Sequence, residues 1–169
     1  MKQNSDLKIS ISIIIITVLI FIGIVLFARS NSSGAGAQEP MEENFLASNE
    51  QFFDFGEISM AAGKVSHAFK IKNSNAETVT LAKIYTSCMC TIANLLKSGR
   101  NLGSFGMPGH GAVPKINVLF QPGEEADIEA IFDPAAHGPA GIGKIERSIY
   151  AESKLGTLLE LRFAATVTP

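Results

Sequence analysis

The residues best equipped for chemistry lie in Thr86–Ile92, TSCMCTI, which holds both cysteines of the chain, Cys88 and Cys90, one residue apart. Three fates are open to such a pair. On an extended strand, positions i and i+2 face the same side with Cβ atoms ~6.5–7 Å apart, against the ~3.5–4.5 Å that a disulfide needs. A bond between them would need a kinked backbone and would be strained and readily reduced. The structural reading is two small, apolar, buried thiols packed at the end of a strand. In a metal reading, two thiolates join Met107 or His110 of the FGMPGHG segment. That set (Cys88, Cys90, Met107, His110) is soft, suited to Cu(I) and less well to zinc. A redox role would lack the CxxC spacing and helix N-terminus that lower a thiol pKa in thioredoxin-like enzymes.

The three histidines are His67, His110 and His137. His67 takes an inward position on a strand, where a hydrogen-bonded core histidine is expected rather than a ligand. His137 falls in DPAAHGPAGIG, a hairpin-like loop in which exposure is expected. No Ser, His and Asp order or clustered carboxylate pair suggests a catalytic centre, because Asp133 and Glu124–Asp127 read as solvating charges at strand ends. The chain is therefore not expected to be an enzyme, and its leading reading needs no cofactor.

These side chains must be held by about 120 residues at the C-terminal end of a 169-residue chain. Ahead of them, Ile9–Phe27 contains no charged residue in 19 positions. As a helix it would extend ~28 Å, matching the ~30 Å hydrocarbon core of a bilayer. Lys2, Lys8 and the amino terminus outweigh Asp6 on the short N-terminal side. The expected topology is a cytoplasmic N-terminus over 1–8, an anchor over 9–28 and export of the rest. The competing reading is a cleaved signal peptide ending at Ala35-Gly36-Ala37, and a mature chain starting at Gln38 would establish it. Either way the C-terminal part reaches a compartment that permits thiol oxidation. The formal net charge of −2 supplies no basic surface for nucleic acid.

Residues 29–48 begin with RSNSSGAGAQEPMEEN, small and polar, as expected of a flexible tether. The domain follows over 49–169. Its apolar residues recur every second position: Val65, His67, Phe69 and Ile71; Ile128, Ala130 and Phe132; Ile145, Arg147 and Ile149; Leu159, Leu161, Phe163, Ala165 and Val167. That period marks strands with one buried face. Val79, Leu81 and Ile84 continue the pattern with a slip near Lys83, which predicts a bulge. Asn73–Ala76, the type II turn sequence Gln121-Pro122-Gly123-Glu124, and Gly156 punctuate the strands as hairpin turns. Lys97–Pro114, KSGRNLGSFGMPGHGAVP, shows no period and is expected to be one long loop.

Four motifs in order carry a resemblance: Asp54-Phe55-Gly56; Gly63 through His67, Phe69 and Asn73; Ser87-Cys88-Met89-Cys90-Thr91; and Pro122-Gly123-Glu124 followed by Phe132-Asp133. Together they resemble a bacterial, mostly exported immunoglobulin-like domain family of unknown function with an SCxCT motif. That family is similar to the ASPM–SPD-2–Hydin and major sperm protein domains. Met89 replaces the family's usual Gly and removes the freedom for a left-handed turn there. The resemblance covers about Phe52–Val167 and implies an antiparallel immunoglobulin-like β-sandwich of about 7–8 strands used for interaction. The expectation is an all-β, membrane-anchored extracytoplasmic binding or scaffolding module with a protein partner in the cell envelope and no nucleic acid. The alternative is a metal-binding or thiol-redox domain centred on Cys88 and Cys90.

Overall fold

The computed structural model describes Val18, residues 46–109 and residues 113–169. The chain divides into two units, Met1–Met41 and Glu42–Pro169. The span expected over 9–28, Val18 apart, and the tether as far as residue 45 lie outside the described residues. Among the described residues, no helix is long and apolar enough to cross a membrane.

The second unit is built from ten strands: β1 Leu46–Ala47, β2 Phe52–Ser59, β3 Val65–Asn73, β4 Val79–Thr86, β5 Thr91–Lys97, β6 Arg100–Phe105, β7 Val118–Phe120, β8 Glu125–Phe132, β9 Gly143–Ser153 and β10 Leu158–Thr168. One sheet runs β1-β3-β8-β5-β6 and the other β2-β10-β9-β4-β7. Alternation explains why they stack. Phe69, Ile71, Ile128, Ala130, Leu161 and Phe163 are fully buried, while the residues between them on the same strands face outward. The Phe132 and Phe163 rings meet across the core with centroids 5.4 Å apart. Burying side chains of this size is the dominant stabilising contribution. The architecture is a β-sandwich of two five-stranded sheets.

The expected slip near Lys83 is present as a register shift between Leu81 and Lys83 in the β4–β9 ladder. His67 is hydrogen-bonded, as expected, and half-buried. Its ring stacks on Phe53 at 3.6 Å, and its Nε2 lies 2.9 Å from Glu50 Oε2. The expected strand count was low because β1 and β7 are too short to show a period.

Two further expectations are corrected. The segment 97–114 is not one loop, because β5 and β6 form a hairpin over Ser98 and Gly99. Both turn residues have positive φ, 52° and 75°, the pattern of a two-residue type I′ connection. Asn73–Ala76 and Gln121–Glu124 are not hairpins either. They carry the chain from one sheet to the other, as does every connection except β5–β6 and β9–β10. The turn chemistry itself was read correctly at Gly123, whose φ is 79° and which sits inside a bond from Glu124 N to Gln121 O.

The two crossings are tied together by Asn73, which is fully buried. Its Nδ2 donates to Phe120 O and Glu77 O at 2.8 Å each, and its Oδ1 accepts from Asn75 N at 2.9 Å. Its backbone N donates to Glu124 O, and its carbonyl accepts from Gly123 N. A buried amide with its donors and acceptor satisfied is the form in which a core tolerates such a group.

Candidate functional site

At one end of the sandwich two crossings meet. The first, residues 87–90, leads from β4 to β5; the second, residues 133–142, leads from β8 to β9. Both sheets pin the first. Ser87 extends the β4–β9 ladder, its N donating to Ser148 O and its Oγ accepting from Ser148 N, both at 2.9 Å. On the other side Asp133 N donates to Cys90 O at 2.9 Å, prolonging β5–β8.

Between these anchors the backbone turns. Thr91 N donates to Cys88 O at 3.1 Å, closing a four-residue turn. The buried Thr86 hydroxyl lies 3.0 Å from Cys88 O and 3.1 Å from Thr91 O. The Cα atoms of Cys88 and Cys90 stand 5.2 Å apart, and the two sulfurs are joined as a disulfide. This corrects two expectations. The pair does not lie on an extended strand, and there are no free thiols among the described residues. The turn supplies the kinked backbone that the extended geometry lacked. It does so without a left-handed residue at Met89, since Ser98 and Asn117 are the non-glycine positions with positive φ among the described residues. Met89 projects from the tip, 67% exposed, while Cys88 and Cys90 retain 8% and 3% exposure.

The second crossing brings His137. Asp133 Oδ1 accepts from Ala135 N, Ala136 N donates to Asp133 O and Gly138 N to Ala135 O, which winds the chain tightly before a short 3-10 turn at Gly138–Gly141. His137 Nε2 is thereby held 3.1 Å from Cys88 Sγ. From β9, Arg147 Nε donates to Cys90 Sγ at 3.4 Å, and its Nη1 donates to Glu146 O at 2.7 Å. Cys88 Sγ therefore meets the imidazole and also accepts from Cys90 N at 3.3 Å, while Cys90 Sγ meets the guanidinium, with the Thr91 hydroxyl 3.7 Å away.

His137, expected to be an exposed loop residue, is exposed, and the fold brings its ring to Cys88. Arg147 was placed in the inward phase of its strand but was not recognised as part of the site; a cation in an inward phase was the available signal. Of the expected metal set, Cys88 and Cys90 are together. Met107 stands exposed one residue past Gly106, whose carbonyl accepts from Thr86 N at 3.2 Å, so this segment runs beside the end of β4. His110 lies outside the described residues. The ligand atoms of Cys88, Cys90 and His137 lie within 4.8 Å of one another, a compact group of two sulfurs and one nitrogen once the disulfide is opened.

Residues 46–105 match the family described as "Protein of unknown function (DUF1573)". The matched stretch holds β1 to β6 and the cysteine turn. No curated protein matches the chain. Among solved structures, a protein of unknown function from Porphyromonas gingivalis W83 superposes with a TM-score of 0.51 at 14% identity, covering 72% of this chain and 46% of that one. The secreted serine protease VesC from Vibrio cholerae gives 0.48 at 11% identity, over 76% and 25%. A PapD-like domain of human CEP192 gives 0.45 at 9% identity, over 77% and 92%. The chain thus spans less than half the length of the Porphyromonas protein, and the likeness is one of fold.

Proposed function

We propose that the chain is a membrane-anchored, extracytoplasmic immunoglobulin-like module that binds or scaffolds a protein partner in the cell envelope, without enzymatic activity. The observation that supports this reading is the unequal treatment of the sheet edges. Among the described residues each sheet has one short edge, β1 with two residues and β7 with three, and one long outer strand, β6 or β2. A long edge presents unpaired backbone groups onto which a partner's extended strand can add. Phe52 on β2 and Leu102 on β6 are exposed there. The apolar segment over 9–28 would hold the module at the membrane and raise its effective concentration toward other envelope proteins.

Site-specific photo-crosslinking in membranes of the source cell tests it. A crosslinker at Leu102 or Phe52 should capture a discrete protein adduct, whereas one at Lys72 on the outer face should not. Equal labelling at all three sites, or none at the edges, overturns the reading. A second reading, metal or thiol chemistry at Cys88 and Cys90, is favoured by the placement of His137 and Arg147 on the two sulfurs. Its metal form is tested by titrating the reduced full chain with Cu(I) and with zinc. Stoichiometric uptake that is lost in Cys88→Ser/Cys90→Ser supports it, and uptake unchanged in that variant overturns it.

A further inference from the structure

The geometry points to a directional thiol–disulfide exchange site at the Cys88–Cys90 bond, in which an incoming thiolate attacks Cys88 and Cys90 leaves. The inference rests on the thiol reading of this centre and assigns its substrate class, a dithiol, together with the order of events. Cys88 Sγ accepts a neutral backbone N–H from Cys90 at 3.3 Å, and two observations set the direction against it. Cys90 Sγ accepts from Arg147 Nε, a nitrogen of a permanently charged group, at 3.4 Å, so charge that appears on that sulfur is met by a donor already in place. Exchange is faster when the departing sulfur is the better-stabilised thiolate. Cys88 is the more accessible of the two, in a rim formed by Ser87, Met89 and His137, all exposed.

The steps balance as follows. A thiolate of the dithiol bonds to Cys88 Sγ, the Cys88–Cys90 bond breaks, and the electron pair leaves on Cys90 Sγ beside Arg147. The second thiolate of the dithiol then attacks its own first sulfur, now joined to Cys88. That bond breaks with its electron pair on Cys88 Sγ, which takes a proton through His137 Nε2, 3.1 Å away. The dithiol becomes a disulfide, while the protein is reduced by two electrons to a Cys88 thiol and a Cys90 thiolate. Of the two dithiol protons, one ends on Cys88 and one in solvent. Run backwards, the same steps reduce a partner's disulfide to a dithiol and re-form the Cys88–Cys90 bond.

The test uses the oxidised full chain in detergent micelles, mixed with reduced glutathione, quenched in acid at short times, alkylated and mapped by fragmentation mass spectrometry. The expected result is glutathione on Cys88 and the alkyl label on Cys90. Arg147→Gln should slow formation of that adduct about tenfold, the scale of one charge-assisted hydrogen bond, while Arg147→Lys should restore most of the rate. With dithiothreitol as the dithiol, His137→Gln should make the mixed disulfide on Cys88 accumulate. Adduct found mainly on Cys90, or an Arg147→Gln rate within twofold of the parent, overturns the direction while leaving a thiol centre in place. A disulfide that forms no adduct at either position overturns the thiol reading as well. The site of the adduct in the unaltered protein decides the direction even where a variant fails to fold.

Discussion

Replacing Asn73 by Ala should cost about 2–4 kcal/mol of folding stability, although the residue is polar and lies far from the cysteine turn. The estimate follows from its bonds. The Nδ2 bond to Phe120 O is buried, and leaving a buried acceptor short of its donor costs about 1–3 kcal/mol. The bond to Glu77 O is partly buried and contributes about 1 kcal/mol. The Oδ1 side adds little, because Asn75 can turn to water. In urea, with a slope of roughly 2 kcal/mol per molar, the midpoint should fall by about 1–2 M with the slope unchanged. Asn73→Asp separates bonding from volume. It fills the space but points a carboxylate at two carbonyl oxygens, so at neutral pH it should be no more stable than the Ala variant. A loss below about 1 kcal/mol for Asn73→Ala, or an Asp variant clearly more stable than the Ala variant at pH 7, would refute the assignment of Asn73 as the tie between the crossings.

Phe163 is fully buried against Phe55 and Phe132, so Phe163→Ala should lose about 3–5 kcal/mol in the same urea titration, and a loss under 1 kcal/mol would contradict the strand phase. The Cys88–Cys90 bond closes a very short loop, and on the chain-entropy account Cys88→Ser/Cys90→Ser should cost only about 1.5 kcal/mol; a loss above 4 kcal/mol would show that the turn depends on the bond. The Glu124 carboxyl is held below its ordinary value of 4.5 by its hydrogen bond from Lys97, with a further bond from Gln121 N. A depressed carboxyl stabilises the fold above that ordinary value and loses the contribution as pH falls through the folded value. Glu124→Gln should therefore flatten stability against pH below about pH 4.5, and an unchanged acid limb would show that this interaction does not matter.

The strands with one buried face were legible because alternate side chains report their own burial. Phe69 and Ile71, or Leu159 through Val167, could hardly face any other way. Less visible was β6, whose run Arg100-Asn101-Leu102-Gly103-Ser104-Phe105 sends only Phe105 into the core. The Ser98-Gly99 pair was its signal. Turn residues showed where the chain reverses but not which sheet it enters, since a Pro-Gly turn serves a hairpin and a crossing alike. The site was legible only in part for a related reason. The cysteines announce themselves by type, but their geometry depends on a turn that a strand pattern cannot foresee. His137 lies 49 residues from Cys88, and Arg147 lies 57 from Cys90. Proximity of that kind arises from two crossings ending at the same pole of the sandwich, and local sequence carries no record of it.

The pairing of β2 with β10 has a mechanical consequence. The two strands run parallel, from Phe52 beside Arg162 to Ser59 beside Thr168, and Ser59 Oγ donates to Pro169 O at the far end. A tension applied between the two ends of the unit would first peel the two-residue β1 from β3, then pull β2 backward along its own axis while drawing β10 forward. The load is then shared across the whole ladder in shear rather than opening one bond at a time. Single-molecule stretching from these ends should show a small early yield followed by one abrupt, higher-force rupture, the response of a domain able to stay folded while its attachments are under strain.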